Sequence, residues 1–134
     1  MSIEVLTDAQ VSVLVVDDQA PFRLAARAVI KRAEGFELIG EAGTGEEAVE
    51  LAGELRPDLV LMDINMPGIN GIEATSRIVS QEPGAVVFLC STYERSDLPE
   101  EAGDSGARAY INKEELGPVV LRELWDAREG ASLD

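Results

Sequence analysis

Short apolar runs alternate along this chain with longer segments in which apolar residues recur at helical spacing. This alternation predicts a parallel β-sheet that is covered by helices on both faces. Most of the runs are unbroken stretches of Val, Ile and Leu, which is typical of strands that are buried on both sides. The predicted strands are Val11 to Val16, Phe36 to Glu41, Asp58 to Met62, Ala85 to Cys90, and Arg108 to Ile111.

Four of the segments between and after the strands carry an apolar face with the period of an α-helix. The second helix opens at a capping-box pattern, Thr44 followed by Glu47, and the fourth runs from about Glu115 to Arg128. The predicted inward-facing residues are Phe22, Ala25, Ala26, Val29 and Ala33 in the first helix, Ala48, Leu51, Ala52 and Leu55 in the second, Ile72, Thr75, Ile78 and Val79 in the third, and Leu116, Val120, Leu121, Leu124, Trp125 and Ala127 in the last.

The segment from Arg95 to Ser105 is more polar than the other helical segments. It holds Pro99, Gly103 and several acids, and only two residues, Leu98 and Ala102, are core candidates. We therefore expect a short, loosely held helix there, so that five strands and five helices fill one domain. Residues 1–10 are predicted to be a flexible leader, 11–128 the folded domain, and 129–134 a loose tail.

Charge and residue usage exclude several classes of function. A net charge of −15 repels nucleic-acid phosphates and anionic lipids, so we expect no direct binding to either. The sequence has no secretion-signal pattern and no apolar run that could span a bilayer, which predicts a cytoplasmic protein. Cys90 is the only cysteine, and its apolar neighbours predict a buried thiol. Because the chain contains no histidine, a metal site must use oxygen ligands, which favour cations such as Mg²⁺.

Polar residues follow four of the predicted strands at their carboxyl ends, where parallel sheets collect their functional groups. They are Asp17 and Asp18, Asp63, Ser91 and Thr92, and Lys113. Each has a simpler interpretation when it is taken alone: a helix cap for the first two acids, a turn residue for Asp63, and a solvated surface side chain for Lys113. Together, at one edge of a sheet, they indicate a cation and phosphate site. The carboxylates would repel one another unless a divalent cation neutralised them.

Four ordered motifs resemble the receiver domains of two-component response regulators. They are Val16 to Gln19, Leu61 to Gly71, Ser91 to Tyr93, and Gly106 to Lys113. The resemblance covers Val11 to Arg128 and is strongest to receivers that precede a LuxR-type DNA-binding domain. It implies an α/β, doubly wound (βα)5 fold of the flavodoxin-like or CheY-like type, with a five-stranded parallel sheet in the order 2-1-3-4-5.

The same resemblance implies a role for individual residues. Asp63 would be the phosphoacceptor. Asp17, Asp18 and Asp63 would bind Mg²⁺, or Mn²⁺, together with the backbone carbonyl of Asn65. The phosphoryl oxygens would be contacted by Ser91 and Lys113.

Tyr110 occupies the position of a switch aromatic in that family, and its rotamer would follow the Ser91 hydroxyl. An aromatic side chain that only fills the surface is the alternative interpretation of Tyr110. Two positions depart from the usual pattern. Glu114 replaces a common proline after the lysine, so we expect a trans peptide there. Thr92 is larger than the usual alanine or glycine, which predicts narrower access to the phosphoryl group and a longer phosphoryl lifetime.

The resemblance implies a phosphoacceptor signalling protein and not a turnover enzyme. Because the chain has no histidine, a sensor histidine kinase or a histidine phosphotransfer protein must donate the phosphoryl group. An unknown downstream protein would read the phosphorylated state on a surface made by Arg95 to Ser105, Tyr110 and the last helix. Homodimerisation is left open.

Three alternatives are weighed against this interpretation. The first is a receiver-like interaction module that works without phosphorylation. The second is the receiver part of a longer DNA-binding regulator, although no output domain follows the last predicted helix and we expect a stand-alone receiver. The third is a phosphatase similar to the haloacid dehalogenases. That family requires a second aspartate two residues after its nucleophile, where this chain has Asn65.

Overall fold

Five parallel strands form one sheet in the order β2-β1-β3-β4-β5, as predicted. The computed structural model describes residues 10–133, so the predicted leader lies almost wholly outside the described residues. Each predicted strand is present; the first has the predicted bounds, and the ends of the others differ by at most one residue. The strands are β1 (Val11–Val16), β2 (Phe36–Ala42), β3 (Leu59–Asp63), β4 (Val86–Ser91) and β5 (Ala109–Asn112).

The register of the sheet brings the carboxyl ends of its central strands together. Asp63 at the end of β3 is level with Cys90 of β4, and Ser91 of β4 is level with Asn112 of β5. Asp17 follows β1 directly and continues its hydrogen bonding by donating its N–H to the Ala42 carbonyl, at 3.0 Å. The polar residues that follow these strands therefore lie at one edge of the sheet.

Four α-helices connect or follow the strands within residues 10–133. They are α1 (Ala20–Arg32), α2 (Gly45–Leu55), α3 (Gly71–Gln81) and α4 (Pro118–Asp126). The predicted cap of α2 is confirmed, because the Thr44 hydroxyl accepts the Glu47 N–H at 3.1 Å. In α3, Asn70 has the same role and accepts the Glu73 N–H. Capping side chains thus fix where two of the helices begin.

The segment between β4 and β5 differs from the sequence prediction. In place of the one short helix that was expected, it contains two 3₁₀-helices, Arg95–Asp97 and Glu100–Asp104. Pro99 lies between them and has no N–H to continue a hydrogen-bonded turn. The last helix also begins later than predicted, because Gly117 is its N-cap and Lys113–Glu115 forms a separate 3₁₀-helix.

Two apolar clusters lie on opposite faces of the sheet. One packs α2 and α3 against residues such as Leu14, Met62 and Leu89, and the other packs α1 and α4 against residues such as Val15 and Phe88. Part of the predicted helix faces was wrong. Ala25 and Ala127 are exposed and Leu55 is 40% exposed, whereas Ile30, which was not predicted, is buried. The buried face of α1 is therefore rotated slightly from the one read from the sequence, and Ala127 is exposed because α4 ends at Asp126.

Residues 127–133 follow α4 without helix or strand. A loose tail was expected for residues 129–134, but Leu133 is half-buried and packs against the cluster formed by α2 and α3. It lines a cavity of about 320 Å³ together with Leu98 and Ala102. Among the residues that the structure describes, none of the helices has the length and apolar character needed to cross a membrane.

Candidate functional site

Three carboxylates converge at the carboxyl edge of the sheet. Oxygen atoms of Asp17, Asp18 and Asp63 all lie within 4.8 Å of one another. Asp17 is completely buried and Asp63 is 5% exposed, whereas Asp18 faces solvent. Asp63 is the last residue of a strand whose residues are all buried, so its position is fixed by the sheet and not by a flexible turn. The prediction that these acids meet at one edge is confirmed.

Lys113 lies between two of these acids. Its Nζ atom is 2.5 Å from Asp17 Oδ2 and 3.3 Å from Asp63 Oδ1, and its side chain is only 16% exposed. Burial alone would lower the pKa of Lys113, but its close contact with the Asp17 carboxylate and the charge of Asp63 outweigh burial and raise that pKa. Lys113 is therefore a charged, largely buried member of the site and not a solvated surface lysine.

Burial and like charge act together on Asp63. Desolvation is the largest influence on its carboxyl group, the charge of Asp17 adds to it, and Lys113 opposes both, so that the pKa of Asp63 rises to about 6. An ordinary aspartic acid has a pKa near 3.8. Asp63 is thus mostly ionised at neutral pH, but burial and the charge of Asp17 make its ionised form less favourable than that of an ordinary aspartate. Such a perturbed pKa is common among functional carboxylates.

Backbone contacts hold Asp17 in place. Its Oδ1 accepts the Gln19 N–H at 2.9 Å, and its carbonyl accepts a hydrogen bond from Arg23 Nη1 at 2.7 Å. The N-cap of α1 is Gln19, and no side chain caps it, so helix capping does not explain the two acids. The Oδ2 atom of Asp17 is buried and ion-paired with Lys113, but it accepts no hydrogen bond of good geometry from the described residues.

The donor atoms of this cluster suit a hard divalent cation. All three side chains offer carboxylate oxygens, the ligand type that Mg²⁺ prefers. The Oδ2 atom of Asp17 is buried and accepts no hydrogen bond from the described residues, and burial together with the charge of Asp17 disfavours the ionised form of Asp63. A Mg²⁺ ion would offset both effects, so the residues present fit the ion.

Gly71 fixes the loop that follows Asp63. A Cβ atom at this position would lie 1.9 Å from the Asp63 carbonyl oxygen, and the Gly71 N–H donates to the Ile64 carbonyl at 2.8 Å. The loop therefore closes on the end of β3 only if residue 71 has no side chain. Asn65 is exposed in this loop, and its Nδ2 atom lies 3.2 Å from the Tyr93 hydroxyl, so its side chain joins the loops after β3 and β4.

Ser91 and Tyr110 are linked by hydrogen bonds. The buried Ser91 hydroxyl accepts the Tyr93 N–H at 2.9 Å. The Tyr110 hydroxyl donates to the Tyr93 carbonyl at 2.5 Å and lies 3.0 Å from the Ser91 carbonyl. Tyr110 is 9% exposed, so an aromatic that only fills the surface is excluded. Burial raises the pKa of its hydroxyl, which stays protonated as a donor. Thr92, next to Ser91, is exposed.

The sequence matches the response regulator receiver domain family over residues 13–124. The chain belongs to this family. The predicted family, its fold and its two-component function class are thereby confirmed.

Known receivers and response regulators are similar to this chain over most of its length. The transcriptional regulatory protein PdtaR of Mycobacterium tuberculosis is 44% identical over 127 residues, which cover 92% of this chain and 59% of PdtaR. The chemotaxis protein CheY of Thermotoga maritima is 44% identical over 101 residues, which cover 75% of this chain and 83% of CheY. The chain thus spans less than two thirds of the length of PdtaR.

The fold is similar to solved receiver structures. The signal receiver domain of the response regulator NarL of Mycobacterium tuberculosis has a TM-score of 0.81 with 27% identity, and the match covers 90% of this chain and 98% of that domain. This likeness agrees with the predicted resemblance to receivers of LuxR-type and NarL-type regulators.

Three residues of the receiver site had no role in the sequence prediction. Tyr93 was part of a motif, but only the structure shows its contacts with Asn65 and Tyr110. Asn112 also lay within a motif, Gly106 to Lys113, but only the structure shows that it donates to the Tyr93 carbonyl at 3.1 Å. The ring of Phe22 lies 4.5 Å from Lys113 Nζ, although its spacing indicated only a core-facing helical residue.

Proposed function

We propose that this receiver accepts a phosphoryl group on Asp63. The observation that carries the proposal is the position of the Asp63 carboxylate, which ends a buried strand, lies 3.3 Å from Lys113 Nζ and shares its edge with Asp17 and Asp18. The donor would be a phosphohistidine of a sensor histidine kinase or phosphotransfer protein, because this chain contains no histidine.

In the transfer, an ionised Asp63 oxygen attacks the phosphorus of the donor in line with the bond that breaks. The phosphorus–nitrogen bond breaks, its electron pair returns to the imidazole nitrogen of the donor, and an acyl phosphate forms. Since the pKa of Asp63 is raised to about 6, most of its carboxyl groups are ionised at pH 7. Lys113 lies close enough to turn its ammonium from the carboxylates toward the incoming phosphoryl oxygens.

Asp17, Asp18 and Asp63, together with the Asn65 carbonyl, would hold Mg²⁺ or Mn²⁺, which when bound neutralises charge on the phosphoryl oxygens. The Ser91 hydroxyl accepts the Tyr93 N–H, which leaves its own proton free to donate to a phosphoryl oxygen.

Thr92 is the remaining predicted residue beside the phosphoryl group. We retain the hypothesis that its side chain narrows access from solvent and prolongs the lifetime of the acyl phosphate. Its exposed position directly after Ser91 supports this. Dephosphorylation of Thr92→Ala should be faster than that of the parent, and equal rates would remove the hypothesis.

The phosphorylated state would be read on the surface made by residues 95–105, Tyr110 and α4. Phosphorylation adds nearly two negative charges beside Ser91. A shift of the Ser91 hydroxyl would move the Tyr93 N–H that it accepts, and Tyr93 in turn holds the Tyr110 hydroxyl. A downstream protein is therefore expected to recognise this surface. A second copy of the chain could bind the same surface and form a homodimer.

The same proposal includes the class and setting of the protein. The chain would act as a signalling domain without steady turnover of a substrate, with residues 11–128 as the receiver. The free thiol of Cys90 supports a cytoplasmic location. It is buried, and burial raises its pKa to about 12. A thiol of this kind is typical of proteins in a reducing compartment.

The direct test is incubation with acetyl phosphate and Mg²⁺ followed by intact-mass measurement. We expect the parent to gain the mass of one phosphoryl group, and to lose this gain in EDTA. Asp63→Asn should gain nothing, whereas the matched control Asp97→Asn, which changes an exposed acid of a 3₁₀-helix, should behave like the parent. A parent that gains no phosphoryl mass would instead favour an interaction module that works without phosphorylation.

A further inference from the structure

The Lys113 ammonium has three neighbours in the receiver site. Two are the carboxylates of Asp17 and Asp63, and the third is the face of the Phe22 ring, whose centre lies 4.5 Å from Nζ. An ammonium group has three N–H bonds, so two can point to the carboxylates while the third points to the ring. The ring also shields this side of the ammonium from solvent, which agrees with the 16% exposure of the Lys113 side chain.

An aromatic face attracts a cation without neutralising it. The attraction comes from the negative face of the ring quadrupole and strengthens when solvent is excluded. A third carboxylate in the same place would hold Lys113 more tightly, but it would also compete with the phosphoryl oxygens for the ammonium. The Phe22 ring can keep Nζ near Asp63 and leave its full charge available when a phosphoryl group arrives.

Two sets of contacts fix the position of Phe22: the packing of its own side chain and the contacts of Arg23, the next residue. The residue lies in the first turn of α1, after Pro21, and its half-buried side chain packs against the cluster formed by α1 and α4. The next residue, Arg23, donates to the Asp17 carbonyl at 2.7 Å and forms an ion pair with Glu41 at 3.3 Å. These contacts tie the start of α1 to the end of β1, so the ring keeps its distance from Lys113.

We propose that Phe22 is a positioning residue that holds the Lys113 ammonium over Asp63 through its ring face. The proposal rests on the function assigned above to Lys113 and Asp63. It concerns the aromatic ring itself, because an apolar side chain of similar size would preserve the packing of α1 without attracting the ammonium.

The first test is an NMR measurement on the metal-free parent, with no phosphoryl donor present. The Cε atom of Lys113 is bonded to the Nζ atom that lies over the ring, so we expect the resonances of its protons to be shifted upfield from those of the exposed Lys31. The shift should disappear in Phe22→Leu and persist in Phe22→Tyr. Unshifted Lys113 resonances in the parent would overturn the proposal, and this result does not depend on whether Asp63 is phosphorylated.

The second test compares rates of phosphorylation by acetyl phosphate with Mg²⁺. We expect Phe22→Leu to be slower than the parent by about fivefold, the size of a partly desolvated cation–π contact, while Phe22→Tyr keeps the parental rate. Phe22→Met should be slowed as much as Phe22→Leu, and thermal unfolding should show that both are folded. Equal rates for Phe22→Leu, Phe22→Tyr and an active parent would contradict the role of the ring and leave Asp63 as the phosphoacceptor.

Discussion

The carboxylate site at the edge of the sheet and the segment of residues 95–104, which connects β4 to β5, are held in different ways. At the site, Asp17 and Asp63 are buried at the ends of strands, and Lys113 joins them by ion pairs. The 95–104 segment has two short 3₁₀-helices, buries only Ala102, and borders a cavity of about 320 Å³. Few apolar contacts and poor helical hydrogen bonding lower the free energy needed to open a segment.

From this difference we infer that the carboxylate site is the rigid part of the domain and that residues 95–104 are the part that moves. The proposed phosphoryl transfer to Asp63 requires groups that are held in fixed positions before the phosphoryl group arrives. A surface that reports the result must have two arrangements of similar free energy. Ser91, at the end of β4 beside Asp63, accepts the Tyr93 N–H, and the Tyr93 carbonyl accepts the Tyr110 hydroxyl, so these hydrogen bonds lie directly before the 95–104 segment.

The largest destabilisation is expected for Gly71→Ala, which alters the loop that follows Asp63. The new Cβ would lie 1.9 Å from the Asp63 carbonyl, and the backbone must move to remove the clash. We expect the free energy of unfolding to fall by about 3 kcal/mol or more in urea titrations. Gly53→Ala is the matched control, because Gly53 is an exposed residue of α2 and a Cβ added there would meet nothing within 4 Å. It should stabilise the protein by about 0.5–1 kcal/mol, and similar losses for both variants would contradict this view of Gly71.

The electrostatic cost of the site should appear as a pH-dependent effect of Asp63→Asn. The folded-state pKa of about 6 lies above the ordinary value of 3.8, so folding penalises the ionised carboxylate. The penalty is absent below pH 3.8, grows through pH 6 and is complete above it. In metal-free buffer at pH 8 we expect Asp63→Asn to be more stable than the parent by on the order of 2–3 kcal/mol, with no difference near pH 3.5.

Asp97→Asn is the control for this pH dependence, because Asp97 is an exposed acid of the 95–104 segment. Its stability difference from the parent should be small and nearly constant between pH 3.5 and 8 in the same urea titrations. If Asp63→Asn also gave a constant difference, burial and the charge of Asp17 would not be acting on Asp63 as described. Adding Mg²⁺ at pH 8 should stabilise the parent more than Asp63→Asn, since the variant loses one carboxylate ligand.

Leu98→Ala should lower the free energy needed to open residues 95–104. Leu98 is half-buried and packs with Leu133 on the cluster formed by α2 and α3. We expect a loss of about 1 kcal/mol that appears as faster amide hydrogen exchange in residues 95–104, while β1 is unchanged. Leu24→Ala, at a residue that is 61% exposed, should change neither region. Equal acceleration of exchange in β1 would show that the segment opens only with the whole domain.

The smallest effect is expected for Tyr93→Phe. This change removes the hydroxyl that lies 3.2 Å from Asn65 Nδ2 but keeps the backbone groups of Tyr93 that bond to Ser91 and Tyr110. We expect a loss below about 1 kcal/mol in thermal unfolding, because the contact is exposed to water. A larger loss would mean that the two loops depend on this side-chain contact and not on the backbone network.

Much of the site could be predicted because it follows from strand order and local motifs. In a parallel sheet, residues that directly follow the strands must meet at one edge, and so Asp17, Asp63 and Lys113 could be placed together before their distances were known. Apolar runs likewise located all five strands. These features depend on residues that are near one another in the sequence or aligned by the sheet.

The remaining features depend on contacts between distant parts of the chain. Between β4 and β5 the chain forms two 3₁₀-helices separated at Pro99, and Leu98 and Leu133 pack on the same apolar cluster, a contact that no periodic pattern reveals. Only the structure shows that Phe22 faces Lys113 and that Gly71 contacts the Asp63 carbonyl. Side-chain direction at such positions is decided by tertiary packing and not by propensity.

Amide hydrogen exchange before and after phosphorylation tests most directly whether the rigid site controls the loose segment. The parent would be compared with and without acetyl phosphate and Mg²⁺, with intact mass confirming the phosphoryl group and Asp63→Asn as control. We predict that exchange changes in residues 95–104 and near Tyr110 while β1 keeps its protection, and that Asp63→Asn shows no change. A phosphorylated parent with unaltered exchange in residues 95–104 would contradict the coupling between the two regions.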